Sequence, residues 1–167
     1  YRMRWGFADG GRPTSELPTH LLNQEVKKRV TNDAVRVIYH CHPVNITALT
    51  FVLPLDSAVF TRELWGMISE CAMVFPQGVA VIDWMVPGRR DIAIASTEAM
   101  EVCDVVIWAY HGMFCAGTDF DATFGLMHTV EKAAEILVKV RSMGAAQAQA
   151  PMPKDRMISD ENLEELS

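Results

Sequence analysis

Residues 35–42 read Val-Arg-Val-Ile-Tyr-His-Cys-His and are followed at once by Pro43. The run is rich in β-branched and aromatic residues and has no helical period, which predicts a largely buried strand. Pro43 lacks a backbone donor and therefore ends the strand. His40 and His42 are two residues apart, so they point to one face of the strand with Cα atoms roughly 6–7 Å apart. Two imidazoles at that spacing can bind one metal ion, although two solvated histidines fit the pattern as well.

A third histidine follows a second apolar run. Residues 104–110 predict another buried strand, and His111 stands at its end. If the two strands are near each other in one sheet, their ends bring three imidazoles to one site. Three neutral imidazoles around zinc leave an open coordination position, as in catalytic zinc sites. The two remaining histidines, His20 and His128, fall within predicted helices and are expected to be solvated.

The segments around these strands alternate between helical and extended patterns. Helices are predicted over about 16–29, 44–53, 61–70 and 91–102, and a long helix is predicted from Thr118 or Asp119 to a stop at Gly144. Residues 1–6, 71–75 and 79–82 read as strands, the last two as a pair around Pro76-Gln-Gly78. This order predicts a layered α/β domain over residues 1–144, with helices covering a sheet. Residues 145–167 read as a tail with one short acidic helix.

Composition excludes several classes of protein. A chain of 167 residues, half of them hydrophobic, can bury one sizeable core. No apolar run approaches the roughly 20 residues of a membrane span and no signal peptide is visible, so a soluble, cytoplasmic protein is expected. A net charge of −6 without a basic cluster argues against a nucleic-acid partner. The four cysteines stand singly and are expected to be reduced, with Cys41 a small core residue rather than a ligand.

Two carboxylates stand out beside the histidines. Glu16 follows Thr14-Ser15 at a predicted helix start, where free backbone amides favour anions, although the residue alone favours a first-turn glutamate that stabilises its own helix. Glu70 is a lone acid at the entrance to an apolar segment, and an exposed helix-end residue is the alternative. All five lysines fall on predicted polar helix faces or in the tail, which argues against a Schiff-base lysine. Carbonyl chemistry in this chain would therefore require a metal.

Several blocks of sequence, in one order, resemble the class II aldolase/adducin family, and most closely its branch that acts on rhamnulose 1-phosphate. The blocks are residues 13–20 (Pro-Thr-Ser-Glu-Leu-Pro-Thr-His), 37–42, 45–50, 84–88 (Trp-Met-Val-Pro-Gly), 111–112, 123–126, 137–140 and 142–144. The resemblance runs from about Trp5 to Gly144. It implies a three-layer α/β/α fold with a central mixed, largely antiparallel sheet, and a domain that is incomplete at its N-terminus.

The resemblance also implies a reaction and a role for each site residue. Such enzymes split a ketose 1-phosphate into dihydroxyacetone phosphate and an aldehyde, with zinc as the Lewis acid, and the full-length proteins are homotetramers. The implied roles are zinc ligation by His40, His42 and His111, acid/base catalysis by Glu16, contact with the aldehyde half of the substrate by Glu70, and phosphate binding by Thr14 and Ser15.

Three other functions fit parts of the pattern. A sister branch of aldolases and 4-epimerases, which acts on fuculose or ribulose phosphates, shares the three-histidine site. Adducin-type relatives keep the fold as a non-catalytic interaction domain. A metal-dependent hydrolase could use three histidines and a carboxylate equally well. From the residues alone these alternatives stay open.

Overall fold

A computed structural model of the chain describes residue 8, residues 10–146 and residues 160–164. These residues form seven helices and four strands, in the following order: α1 Leu17–Val30, β1 Val37–Cys41, α2 Val44–Leu49, α3 Ser57–Trp65, α4 Glu70–Val74, β2 Ala80–Ile82, α5 Arg90–Met100, β3 Val105–Trp108, β4 Gly112–Gly117, α6 Phe120–Ala146 and α7 Asp160–Glu164. The strand predicted over residues 1–6 and most of the predicted tail lie outside the described residues.

The four strands form one mixed sheet in the order β1-β4-β3-β2. The strand β4 pairs antiparallel with both β1 and β3, whereas β2 pairs parallel with β3. In this register His40 of β1 lies opposite Phe114 of β4, and Trp108 of β3 lies opposite Gly112. The predicted mixed, largely antiparallel sheet is confirmed.

Alternate residues of β3 and β4 face opposite sides of the sheet, and each side carries its own apolar core. On one side Val105, Ile107 and Met113 pack in a cluster with buried residues of α2, α3, α4 and α6. On the other side Val106 and Phe114 pack in a second cluster with residues of α1 and α5. The sheet is therefore the middle of three layers, as predicted.

The predicted strand over residues 71–75 is wrong, because these residues belong to the short helix α4 and the loop after it. Cys71 and Ala72 are buried on its inner side, and the helix packs against α3 and α6. A turn does follow, since Gly78 donates from its backbone to Phe75 and has a φ of 74°. The turn leads from a helix into β2, whose partner is β3 rather than the predicted hairpin neighbour.

The sequence pattern also missed the strand β4, which lies between β1 and β3. The pattern ended the preceding strand at His111, but the chain reverses there and returns as β4. The reversal is tight, because the His111 backbone donates to the Trp108 carbonyl at 3.1 Å. Tyr110 lies within it at a φ of 62°, a left-handed conformation that only a minority of non-glycine residues adopt.

Helix ends differ from the predictions by a few residues. The α1 N-cap is Glu16 and makes no side-chain capping bond, and the Thr14 hydroxyl accepts from the Glu16 backbone at 3.3 Å. Asp119 does cap α6, accepting from Ala122 at 2.8 Å, but the helix passes the predicted stop at Gly144. The predicted short acidic helix is present as α7.

Three of the four cysteines are buried, and so is Lys27. All four cysteines are free, and Cys41 packs against the core shared with α6, as predicted. Lys27 was expected on a polar face but is buried and paired with Asp104 at 2.6 Å. It lies eleven residues along α1 from Glu16, about 16 Å at the helical rise, so it does not approach the site described below.

No helix within the described ranges is long and apolar enough to cross a bilayer.

Candidate metal centre

Four of the residues singled out from the sequence converge at one end of the sheet. One ligand atom from each of Glu16, His40, His42 and His111 lies within 4.8 Å of all the others. The predicted histidine cluster is therefore formed, and Glu16 joins it from a different layer.

The strand pairing explains how His111 meets two histidines that precede it by 71 and 69 positions. His40 is in β1 and His42 follows the end of that strand, while His111 directly precedes β4, which pairs with β1. Gly112 makes this approach possible, because a Cβ atom there would lie 2.3 Å from the Cys41 carbonyl oxygen and 3.0 Å from His42 Cδ2. A side chain at position 112 would push the two ligand-bearing segments apart.

The three imidazoles present the atoms that a metal ion requires. Their Nε2 atoms are 3.1 Å apart for His40 and His42, 3.1 Å for His42 and His111, and 3.3 Å for His111 and His40. Nitrogens bound to one tetrahedral zinc ion at 2.0–2.1 Å are about 3.3 Å apart. The triangle in this chain therefore has the dimensions of a three-histidine site.

The neutral His40 ring leaves one nitrogen free to bind a cation. Its Nδ1 lies 3.0 Å from the Met113 carbonyl, which can only accept, so Nδ1 carries the proton. In a neutral ring Nε2 then holds a lone pair directed at the other imidazoles. Burial lowers the pKa of His40 to about 4, so the ring is neutral at pH 7.

Glu16 adds a negative charge to the same point. Its carboxylate is buried, with one oxygen 2.7 Å from His40 Nε2 and the other 3.0 Å from His111 Nε2. A carboxylate oxygen and the lone pair of a neutral imidazole repel each other at 2.7 Å unless a cation lies between them. The set of three imidazoles and a carboxylate, with this spacing, fits a divalent transition metal.

Aromatic rings pack against the histidines. Phe114 stacks on His40 with ring centroids 4.1 Å apart, and the buried Trp108 ring lies 5.6 Å from His40 and 5.4 Å from His111. The Trp108 indole donates to the buried Ser96 hydroxyl at 3.3 Å, which fixes the ring. Sequence reasoning missed this support, although Trp108 and Phe114 both lie in apolar strands next to ligands.

His20 also belongs to this surrounding, contrary to the expectation of a solvated histidine. Its ring lies 6.3 Å from that of His40 and packs edge-on to Phe114 at 5.1 Å. Burial lowers the pKa of His20 below its ordinary value. The signal was its position four residues after Glu16, one helical turn along the same face. His128 is exposed on α6, as expected.

The other predicted site residues are outside the cluster. Thr14 and Ser15 are exposed immediately before α1, next to Glu16, and a Cβ atom added at Gly88 would lie 3.2 Å from the Ser15 Cβ. Glu70 is exposed at the first residue of α4. Thr14 and Ser15 are therefore next to Glu16 along the chain, whereas Glu70 belongs to a different helix, α4.

A cavity of about 470 Å³ opens beside the metal centre. Two of the clustered histidines, His42 and His111, form part of its wall, and the rest is Pro43 together with residues of α2 and the loop after it: Val44, Thr47, Ala48 and Phe51. Among the described residues, no Asp, Glu, Lys or Arg side chain lines it. An apolar group bound there would lie against the rings of His42 and His111.

This fold and this donor set agree with the comparison of the sequence with known families. Residues 3–138 match the Class II Aldolase and Adducin N-terminal domain family. The chain belongs to this family.

Within the family, the chain is a homologue of rhamnulose-1-phosphate aldolases. It is 52% identical over 144 residues to the enzyme of that name from Mannheimia succiniciproducens, and 49% identical over 144 residues to the one from Escherichia coli O157:H7. Each match covers 86% of this chain and 53% of the relative, so the chain spans about half the length of these curated relatives. A sugar-phosphate aldolase structure from Thermotoga maritima aligns with a TM-score of 0.73 at 30% identity, over 85% of this chain and 58% of that one.

Proposed function

We propose that this chain carries the zinc centre of an aldolase that cleaves L-rhamnulose 1-phosphate into dihydroxyacetone phosphate and L-lactaldehyde, in the breakdown of L-rhamnose. The observation that carries the proposal is the convergence of three imidazole Nε2 atoms and the Glu16 carboxylate in a chain homologous to enzymes of that name. His40, His42 and His111 are the proposed ligands. When bound, zinc supplies a Lewis acid that stabilises negative charge on the carbonyl and hydroxyl oxygens of the ketose.

Glu16 is the proposed acid/base. It lies at the start of α1 with both carboxylate oxygens turned to the histidines, which puts it within reach of a carbon held at the same point. When the bond between carbons 3 and 4 breaks, the carbon-4 hydroxyl releases its proton to water and becomes the aldehyde carbonyl, and the electron pair of the bond stays on carbon 3 of the dihydroxyacetone phosphate half. Glu16 would deliver a proton to that carbon, and would remove it in the direction of synthesis.

The remaining roles follow the layout around Glu16. Thr14 and Ser15 precede the N-terminus of α1, where free amides and the helix dipole attract a phosphate. The cavity walled by α2 is apolar and suits the methyl end of L-lactaldehyde. Glu70 lies outside the cluster, and its contact with the aldehyde half stays a prediction.

The setting of the reaction is part of the same proposal. The substrate is a small sugar phosphate, and we propose a homotetramer for the full-length protein, as the family resemblance implies. Four free cysteines suit a reducing compartment, which is why we propose the cytoplasm.

The test is cleavage of L-rhamnulose 1-phosphate in the presence of zinc, followed by the appearance of dihydroxyacetone phosphate. L-Fuculose 1-phosphate and L-ribulose 5-phosphate serve as competing substrates. The proposal expects L-rhamnulose 1-phosphate to be preferred and Glu16→Gln to lower the rate of its cleavage by roughly 100-fold or more, within the range for acid/base catalysis. Preference for another substrate would reject the rhamnulose assignment. Zinc binding without cleavage of any of them would favour a non-catalytic relative.

A further inference from the structure

We infer that Glu131 of α6 is a positioning residue for the metal ligand His42, acting through the N-terminus of α2. The inference rests on the proposed function, because it concerns the geometry of the proposed zinc site. Among the described residues, Glu131 hydrogen-bonds to the start of α2 and to none of the three histidines, so its effect on the metal is indirect.

The Glu131 carboxylate accepts three hydrogen bonds from the start of α2. One oxygen accepts from the Asn45 backbone at 2.9 Å and from the Asn45 side-chain amide at 2.8 Å, and the other accepts from the Ile46 backbone at 3.0 Å. Backbone donors in the first turn of a helix have no partner within the helix. A charged acceptor that satisfies two of them makes stronger bonds than a neutral one.

The position of Glu131 in the sequence is otherwise unfavourable. It lies on the same stripe of α6 as Met127, Ala134 and Val138, which pack against the apolar core. An apolar residue would pack in that stripe at less cost than a partly buried carboxylate. The contacts with α2 give the physical reason for an acid at this position.

The path from Glu131 to His42 is short and rigid. Asn45 is three residues after His42, and the intervening Pro43 has a fixed φ of −69°. The Pro43 carbonyl accepts from the Thr47 backbone at 3.2 Å and from the Thr47 hydroxyl at 2.7 Å. Anchoring the first turn of α2 therefore fixes the backbone that carries His42.

His42 depends on this backbone more than His40 does. His40 is held by the sheet and by the bond from its Nδ1 to the Met113 carbonyl. For His42, no partner of Nδ1 is found among the described residues, and the residue lies beyond the last pair of β1. The His42 ring is therefore oriented by its own backbone segment. The sheet fixes this segment at Cys41, and hydrogen bonds to Glu131 fix it at Asn45.

The test compares the zinc affinity of the whole chain with that of Glu131→Gln, by competition with a chromophoric chelator at 25 °C. Glutamine keeps one acceptor oxygen but turns an amide toward the donors of α2. Loss of a group that orients a ligand typically weakens metal binding by about 10–100-fold, and that weakening is expected here. Glu135→Gln is the matched control, because Glu135 is one turn further along α6, its side chain is 45% exposed, and its ion pair is with Lys139 of the same helix. Its zinc affinity should equal that of the wild type.

A purely structural role would lower the melting temperature of Glu131→Gln and leave its zinc affinity unchanged, and that result overturns the inference. Equal weakening in Glu135→Gln also overturns it. If Glu131→Gln does not fold, Thr47→Val breaks the same path at the Pro43 carbonyl with little change of shape, and it too should weaken zinc binding at least several-fold. A wild-type chain that binds no zinc rejects the proposed function as well, whereas tight binding by both wild type and Glu131→Gln rejects this inference alone.

Discussion

At the scale of single residues, the metal centre depends on a glycine as much as on its ligands. A Cβ atom at Gly112 would meet the Cys41 carbonyl oxygen and the His42 ring, neither of which can move without displacing a ligand. The sequence showed Gly112 beside His111, but it indicated only a strand end. The reason for the glycine appears once β1 and β4 are paired.

Gly112→Ala should therefore destabilise the fold by about 1–3 kcal/mol, the usual cost of overpacking, and should reduce metal content. Gly125→Ala is the control, since a Cβ atom there meets nothing within 4 Å and alanine favours the α6 helix by up to about 1 kcal/mol. Urea denaturation and elemental analysis of both variants measure the effects. A Gly112→Ala protein as stable and metal-rich as Gly125→Ala would refute the close approach.

Burial also sets the behaviour of a thiol. It raises the pKa of Cys71 from about 9 to about 12, so the folded protein keeps this thiol neutral where the unfolded chain ionises it. The contribution of this neutral thiol to the free energy of unfolding is fully present below about pH 9 and is lost as the pH rises toward about 12. We expect the free energy of unfolding to fall across this interval, and to fall less steeply in Cys71→Ala. Urea denaturation at several pH values measures it, and identical slopes would contradict the prediction.

At the scale of helices and strands, long helices and strands rich in β-branched residues were predicted well, and short segments with neither signal were not. The first group comprises the helices α1, α5 and α6 and the strands β1 and β3. The short run at residues 70–74 has no period that distinguishes strand from helix, and packing against α6 decides for helix. The strand β4 begins and ends in glycine, which hid it.

Side-chain caps allow a test at this scale. Asp56 caps α3 by accepting from the Val59 backbone at 2.9 Å, whereas Ser69 stands at the N-cap of α4 and makes no such bond. Asp56→Ala should lower the free energy of unfolding by about 0.5–2 kcal/mol. Ser69→Ala should change it by less than about 0.5 kcal/mol. Equal losses in urea denaturation would show that the Asp56 bond does not stabilise α3.

At the scale of the whole molecule, the site joins residues that the sequence separates widely. The histidines could be predicted because each stands at the end of a recognisable strand, and Glu16 because it stands at a helix start. The bond between Asn45 and Glu131 spans 86 residues, and the ion pair of Lys27 with Asp104 joins α1 to the entrance of β3. No local pattern reports such partners, since they depend on how the layers pack.

A metal that binds only the folded chain must also stabilise the whole molecule. At a free zinc concentration 100-fold above the dissociation constant, the gain is about 2.7 kcal/mol. For a domain of this size we expect a strong chelator to lower the melting temperature by roughly 5–10 °C. Differential scanning calorimetry with and without chelator measures the shift. An unchanged melting temperature in metal-loaded protein would mean that the ion does not hold the layers together.

The central claim is that His40, His42 and His111 bind one metal ion beside Glu16. Zinc content per chain after dialysis against excess zinc and then metal-free buffer tests it most directly. The variants His42→Ala and His128→Ala are measured alongside, because His128 is exposed on α6 outside the cluster. We predict close to one zinc per chain in the wild type and in His128→Ala, and little in His42→Ala. Absence of zinc from the wild type, or equal zinc in all three proteins, would contradict the claim.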